Sequence, residues 1–142
     1  MPTLKTYDLF ISHAWKYGAE YDRLKNLLDN APYFYYRNYS APKDRPLHNL
    51  DSTDAHTKRQ ITDAITRKIQ HVNAVIVLSG MYFPYHEWME IELEIAKKYN
   101  RPIIAVLPYG STLIPTYIQL YATEIVGWNT NSIVNAIRTN AI

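Results

Sequence analysis

The run NAVIVLS at residues 73–79 places Ala74, Val75, Ile76, Val77 and Leu78 in unbroken apolar succession. A strand with one wet face alternates apolar and polar residues, so a run without alternation reads as a strand covered on both faces, as in the middle of a parallel sheet. The surrounding segments agree. YDLFIS (7–12), FYYRNY (34–39), RPIIAVLP (101–108) and EIVGW (124–128) are further short strands, with helical stretches between and after them. Tyr21, Leu24, Leu27 and Leu28 share one face within 18–30. Ile61, Ala64, Ile65, Ile69 and Val72 do so within 54–72, and Ile133, Val134, Ile137 and Ala141 in the last segment. Pro84 suits the first turn of a helix running through Tyr99, where a missing N–H costs nothing. A short helix is expected over 115–122. A β-α unit repeated five times predicts an α/β fold of three layers, flavodoxin-like, with a five-stranded parallel sheet in the order 2-1-3-4-5 and helices on both faces. The chain of 142 residues reads as a single domain, 1–142, without internal repeats.

Composition removes several classes of function. A formal charge of only +2 gives too little basic excess for nucleic acid, and the basic residues form no stripe. The absence of cysteine excludes a disulfide framework and a thiolate metal site. No stretch approaches the roughly 18 apolar residues of a membrane span, and MPTLKTYDLF has no signal-peptide pattern. A cytoplasmic location is expected. His48, His56 and His71 lack metal spacing, so no metal is expected. No GxGxxG or GxxxxGK[ST] occurs, which excludes a dinucleotide fingerprint and a P-loop.

In open α/β sheets, ligands bind beyond the carboxyl ends of strands, near the switch between strands 1 and 3. Ser12, His13, Ala14 and Trp15 follow strand 1, and Ser79, Gly80, Met81 and Tyr82 follow strand 3. A receiver domain of this architecture would need acidic residues at these ends, and none is present. Between strand 2 and the next helix, the polar stretch 40–53 is too long for a tight turn.

HEWMEIELEIAKKY (86–99) holds four glutamates, Glu87, Glu90, Glu92 and Glu94. At about 100° per residue from Trp88, Ile91, Ile95 and Tyr99 lie within roughly 60°, and Met89 and Ala96 extend the arc. Glu90, Glu94 and Lys97 fall opposite, with Glu87 and Lys98 at the flank. Glu92 falls at about 40°, inside the apolar arc. A carboxylate there bends out at the helix edge, meets an arginine or histidine, or is a partly desolvated group facing a cleft. Ordinary glycoside hydrolysis needs two carboxyl groups. One suffices when the leaving group departs without a proton, as the cationic nicotinamide of NAD does, while the carboxylate stabilises the ribose oxocarbenium charge. Trp15, Tyr82 and Trp88 offer flat faces for the rings, though such aromatics are more often packing. His13 is placed to contact ribose or phosphate. Ser12 and Ser79 more often satisfy loop backbone groups than bind substrate.

YDLFISHAW, NYSAPKDRPLH, HEWMEIELEIA, RPIIAVLP and EIVGWNTNSIVNAI together resemble the TIR-like proteins of bacterial Thoeris anti-phage defence (ThsB type), from Lys5 to the C-terminus. In enzymatic TIR domains the catalytic glutamate stands four residues after a tryptophan in the helix after strand 3, and Trp88 and Glu92 match that pattern. The resemblance implies cleavage of NAD as substrate, with no separate cofactor, release of nicotinamide, and an ADP-ribose-derived signal nucleotide, a cyclic isomer or a conjugate, that activates a defence effector. It implies a catalytic role for Glu92 and substrate contacts from Ser12, His13, Trp15, Ser79, Met81, Tyr82 and Trp88. Loop 38–53 corresponds to the TIR BB loop, through which copies assemble. His13–Ala14–Trp15 replaces the aromatic–arginine pair of many animal and plant TIR domains, and loop 38–53 has no glycine; both fit the Thoeris-like subgroup. The alternative is a TIR-like scaffold without chemistry, and more distantly a nucleoside deoxyribosyltransferase-like enzyme.

Overall fold

The central apolar run forms β3 (Ala74–Leu78), and every residue of it is buried. The computed structural model describes residues 5–12, 18–39, 55–79, 82–107 and 114–142, with side chains except at 18–20, 55–58, 61 and 82–88. β1 (Thr6–Ser12) and β4 (Ile103–Val106) flank β3, and β2 (Tyr35–Asn38) and β5 (Glu124–Val126) form the edges. Every pairing is parallel and the order is 2-1-3-4-5, as the sequence pattern predicts. The register sets Ser12 beside Val77, and Val77 beside Ala105.

The helices are α1 (Gly18–Asp29), α2 (Ala55–Ile69), α3 (Tyr82–Lys98), α4 (Thr116–Tyr121) and α5 (Thr130–Asn140). α1 meets α5 on one face of the sheet, and α3 meets α2 and α4 on the other. Side chains on β1 can be assigned to these faces. Tyr7 stacks on Phe34 with centroids 5.6 Å apart, and Arg138 of α5 lies over Phe34, so Tyr7 belongs to the α1–α5 face. Alternation along a strand then turns Phe10 and Ser12 to the opposite face, toward the layer of α2, α3 and α4.

Helix ends follow local chemistry. α2 stops at Ile69, short of the expected 72, because the amides of Gln70, His71 and Val72 close a turn onto the carbonyls of Thr66, Lys68 and Ile69. Val72 is buried after the helix instead of on its face. The Arg101 guanidinium ties this end down, donating to the Gln70 carbonyl at 2.7 Å and to that of Tyr99 at 3.1 Å. α3 starts two residues before Pro84, which still falls in the first turn. It ends where Asn100 takes a φ of 56° and the Arg101 amide reaches back to the Ala96 carbonyl at 2.8 Å. Asn tolerates that left-handed conformation, and the back-bonding satisfies carbonyls the helix leaves open. Asn129 caps α5 by accepting from the Ser132 amide at 3.0 Å. α5 buries Ile133, Val134 and Ile137 as predicted, with Ala136 in addition.

β2 is moored to α1 through Tyr36, whose hydroxyl donates to Asp29 at 2.6 Å. That bond is the main cause of the lowered pKa of Asp29; partial burial opposes it, and Lys25 at 2.9 Å adds to it. A folded-state pKa below the ordinary carboxylate value contributes stability that is complete above that value and lost as pH falls through the folded one. Tyr36→Phe is therefore expected to lose less stability than the wild type between about pH 4 and pH 2, as measured by urea melts across that range. Asn38 and Tyr39 close β2, and residues 40–53 of the expected assembly loop lie outside the described residues. No helix among the described residues is long and apolar enough to cross a membrane.

Candidate active site behind the carboxyl ends of β1 and β3

Helix α3 lies on β3 and β4, and among its described side chains Met89, Glu92, Leu93 and Ala96 are buried. That face is centred about 90° around the helix from Trp88. It is a correction to the predicted arc, since Ile91, Ile95 and Tyr99 are only half-buried. The reason is that α3 has three neighbours. Its Glu94 accepts the Tyr117 hydroxyl at 2.9 Å, and its Lys97 sits over the Tyr121 ring, so this flank meets α4. Burial, with hydrogen bonds to Tyr121 and Glu94, raises the Tyr117 pKa and keeps the hydroxyl a donor. By helical spacing Ile91 and Ile95 fall on the opposite flank, and α2 is the other helix that meets α3. Counting only apolar residues averaged this flank with the true sheet-facing stripe. Leu93 was the residue missed, although its spacing with Met89 and Ala96 carried the signal. Glu90, expected in solvent, is half-buried, whereas Glu94 is exposed as expected.

Glu92 is 0% exposed. It is the one formally charged side chain that is buried among the described residues, and Ser12 and Ser79 are the only other buried polar ones there. Taking a carboxylate out of water costs many kcal/mol unless the site compensates it, so a chain with apolar choices at every neighbouring position keeps such a residue for a reason. All three buried polar residues come from positions that the sequence singled out. Ser12 ends β1 on the face toward α3, and Glu92 looks from α3 back onto the sheet, so both belong to one interlayer.

The two serines differ. Ser79 donates to the Val106 carbonyl at the end of β4, at 3.2 Å. The Ser12 hydroxyl is buried with no hydrogen-bond partner among the described residues. Leaving such a group dry and unpaired costs about 1–3 kcal/mol. His13, Trp15 and Met81 lie outside the described residues. Tyr82 and Trp88 are placed by their backbone in the first turns of α3, with side chains outside the description. A groove of about 360 Å³ lined by Lys97, Arg101, Tyr121 and Asn140 is present at the opposite, amino end of β4. It is far from where ligands enter this architecture.

The sequence profile of the Thoeris protein ThsB TIR-like domain matches residues 10–112, from within β1 to beyond β4. The chain belongs to this family. The ThsB-type match contains Ser12, Ser79 and Glu92 together with the strands and helix that position them. Among solved structures, the ThsB-type fold is similar to a 2-deoxyribosyltransferase from Bacillus psychrosaccharolyticus, with a TM-score of 0.61 and 10% identity over 90% of each chain. It is also similar to the CMP N-glycosidase BcmB from Clostridium botulinum, with a TM-score of 0.55 and 12% identity over 92% of this chain and 98% of that one. At such identities the likeness is one of fold. No curated protein matches the sequence.

Proposed function

We propose that this ThsB-type TIR-like chain cleaves NAD, releasing nicotinamide and forming an ADP-ribose-derived, cyclic signal nucleotide that activates a Thoeris defence effector in the cytoplasm. The observation that carries this reading is the complete burial of Glu92, the single charged residue so placed among the described residues. In the reaction, the bond between the ribose anomeric carbon and the pyridinium nitrogen breaks, and its electron pair leaves with nicotinamide as a neutral base. No proton donor is needed, which is why one carboxylate is enough. The ribose cation left behind meets the Glu92 carboxylate, whose effect is largest where water is excluded. A nucleophile within the same molecule then closes the cyclic product, and a water would give linear ADP-ribose instead. In this reading His13, Trp15, Met81, Tyr82 and Trp88 keep the substrate contacts that the family resemblance implies. Two solved structures of similar fold are, by name, a deoxyribosyltransferase and an N-glycosidase, and their support extends to the scaffold only.

The same burial also favours a second reading. A carboxylate with no exposed surface meets substrate only after the cleft opens, so a TIR-like scaffold without turnover fits a chain that stays closed. Incubating the purified protein with NAD, alone and at concentrations that drive self-assembly through loop 38–53, separates the two. Nicotinamide and a cyclic ADP-ribose isomer in the mass spectrum are the expected products. Unchanged NAD under every condition would leave the scaffold.

A further inference from the structure

We infer that the Ser12 hydroxyl is the recognition group for one hydroxyl of the substrate's ribose, so that the site selects ribonucleotides over analogues lacking that hydroxyl. This rests on the reading that the cleft takes NAD and specifies which part of it the strand end contacts. Ser12 is 1% exposed, and its oxygen has no hydrogen-bond partner among the described residues. Ser79 at the end of β3 shows that a structural hydroxyl at this edge finds a carbonyl, since it bonds Val106. Ser12 finds none among the described residues, which leaves a donor and an acceptor for an incoming group.

The surroundings select the chemistry of that group. Ser12 is bordered by Ile11 in its own strand, by Val77 as its register partner and by Leu78 beyond, all buried. Among the described residues that border Ser12 there is no cation to compensate a phosphate, and burying an uncompensated anion is costly. A sugar hydroxyl is neutral, both donates and accepts, and fits a single serine. Ser12 also faces the layer that holds Glu92, and in this assignment the anomeric carbon of the ribose lies at the carboxylate and one of its ring hydroxyls at Ser12. The two residues thus divide the sugar, with the carboxylate at the developing cation and the serine at a hydroxyl.

The test uses wild type, Ser12→Ala and Ser79→Ala with three probes: NAD, and NAD lacking either the 2′- or the 3′-hydroxyl of the nicotinamide-bearing ribose. Nicotinamide release and the ligand-induced shift in melting temperature are both read. The wild type is expected to prefer NAD over one of the two analogues by about tenfold, the scale of one neutral hydrogen bond. Ser12→Ala is expected to reduce that preference to within about twofold while melting at or above the wild-type temperature, since it removes an unpaired hydroxyl. Ser79→Ala is expected to keep the preference and melt lower. A preference that survives Ser12→Ala, an equal loss on all three probes, or a lowered melt for Ser12→Ala overturns the assignment. Binding of NAD without nicotinamide release defeats the cleavage reading alone, because the binding preference still decides the role of Ser12. Absence of both binding and release overturns both.

Discussion

Glu92→Gln is expected to lower nicotinamide release at least about 100-fold, the effect of losing one preorganised electrostatic contact. The amide keeps the volume of the side chain and its place among Met89, Leu93 and Ala96, but it carries no charge to set against the ribose cation. Glu90→Gln and Glu94→Gln are expected to stay near wild-type turnover. Glu94 lies at the surface, and a glutamine there still accepts the Tyr117 hydroxyl. Comparing the three variants under identical assembly conditions gives the result its meaning, since equal behaviour would remove Glu92 from its role. The melting temperature of Glu92→Gln should equal or exceed that of the wild type, as is common when a functional buried charge is removed. A sharp fall would instead assign Glu92 to a structural ion pair, where deleting one charge strands the other.

Leu93→Ala is expected to cost about 2–5 kcal/mol in denaturant unfolding, the range for emptying a closed apolar site. Ile91→Ala should cost about half as much or less, because Ile91 is only half-buried and its removed atoms were already partly wet. The contrast reports which side of α3 lies on the sheet. Were the buried face centred near Trp88, the order of the two would reverse. It also bears on the site, since the same rotation that seats Leu93 and Ala96 against β3 and β4 sets the direction of Glu92. A cavity at Leu93 should therefore lower turnover as well as stability.

The strand order, the burial of β3 and the position of every helix were legible in the sequence, because unbroken apolar runs and helical spacing act within a few residues of each other. The Asn129 cap and the apolar face of α5 are local in the same sense. Glu92 stood out for a local reason too, as a charge between Trp88 and Ala96 on an otherwise apolar arc. The centre of that arc did not. Ile91 and Ile95 look as hydrophobic as Leu93 in a helical projection, and only the positions of α2 and α4 determine which of them meets the sheet. The end of α2 was likewise misplaced, because it is tied down by Arg101, which donates to the Ile69 and Gln70 carbonyls and stands 31 residues away from Gln70.

Ser12 and Ser79 mark the boundary most clearly. The sequence put both at strand ends and gave them the same expected role, since a serine after an apolar run looks alike wherever it occurs. The Val106 carbonyl satisfies one and nothing described satisfies the other, a difference set by strand register and by which side of β1 faces α3. Local spacing thus determined that this chain is a parallel α/β domain with an anomalous carboxylate. Whether that carboxylate is dry, what shares its layer and which hydroxyl is left unpaired depend on contacts between segments far apart in the chain, and only the assembled sheet and helices bring those together.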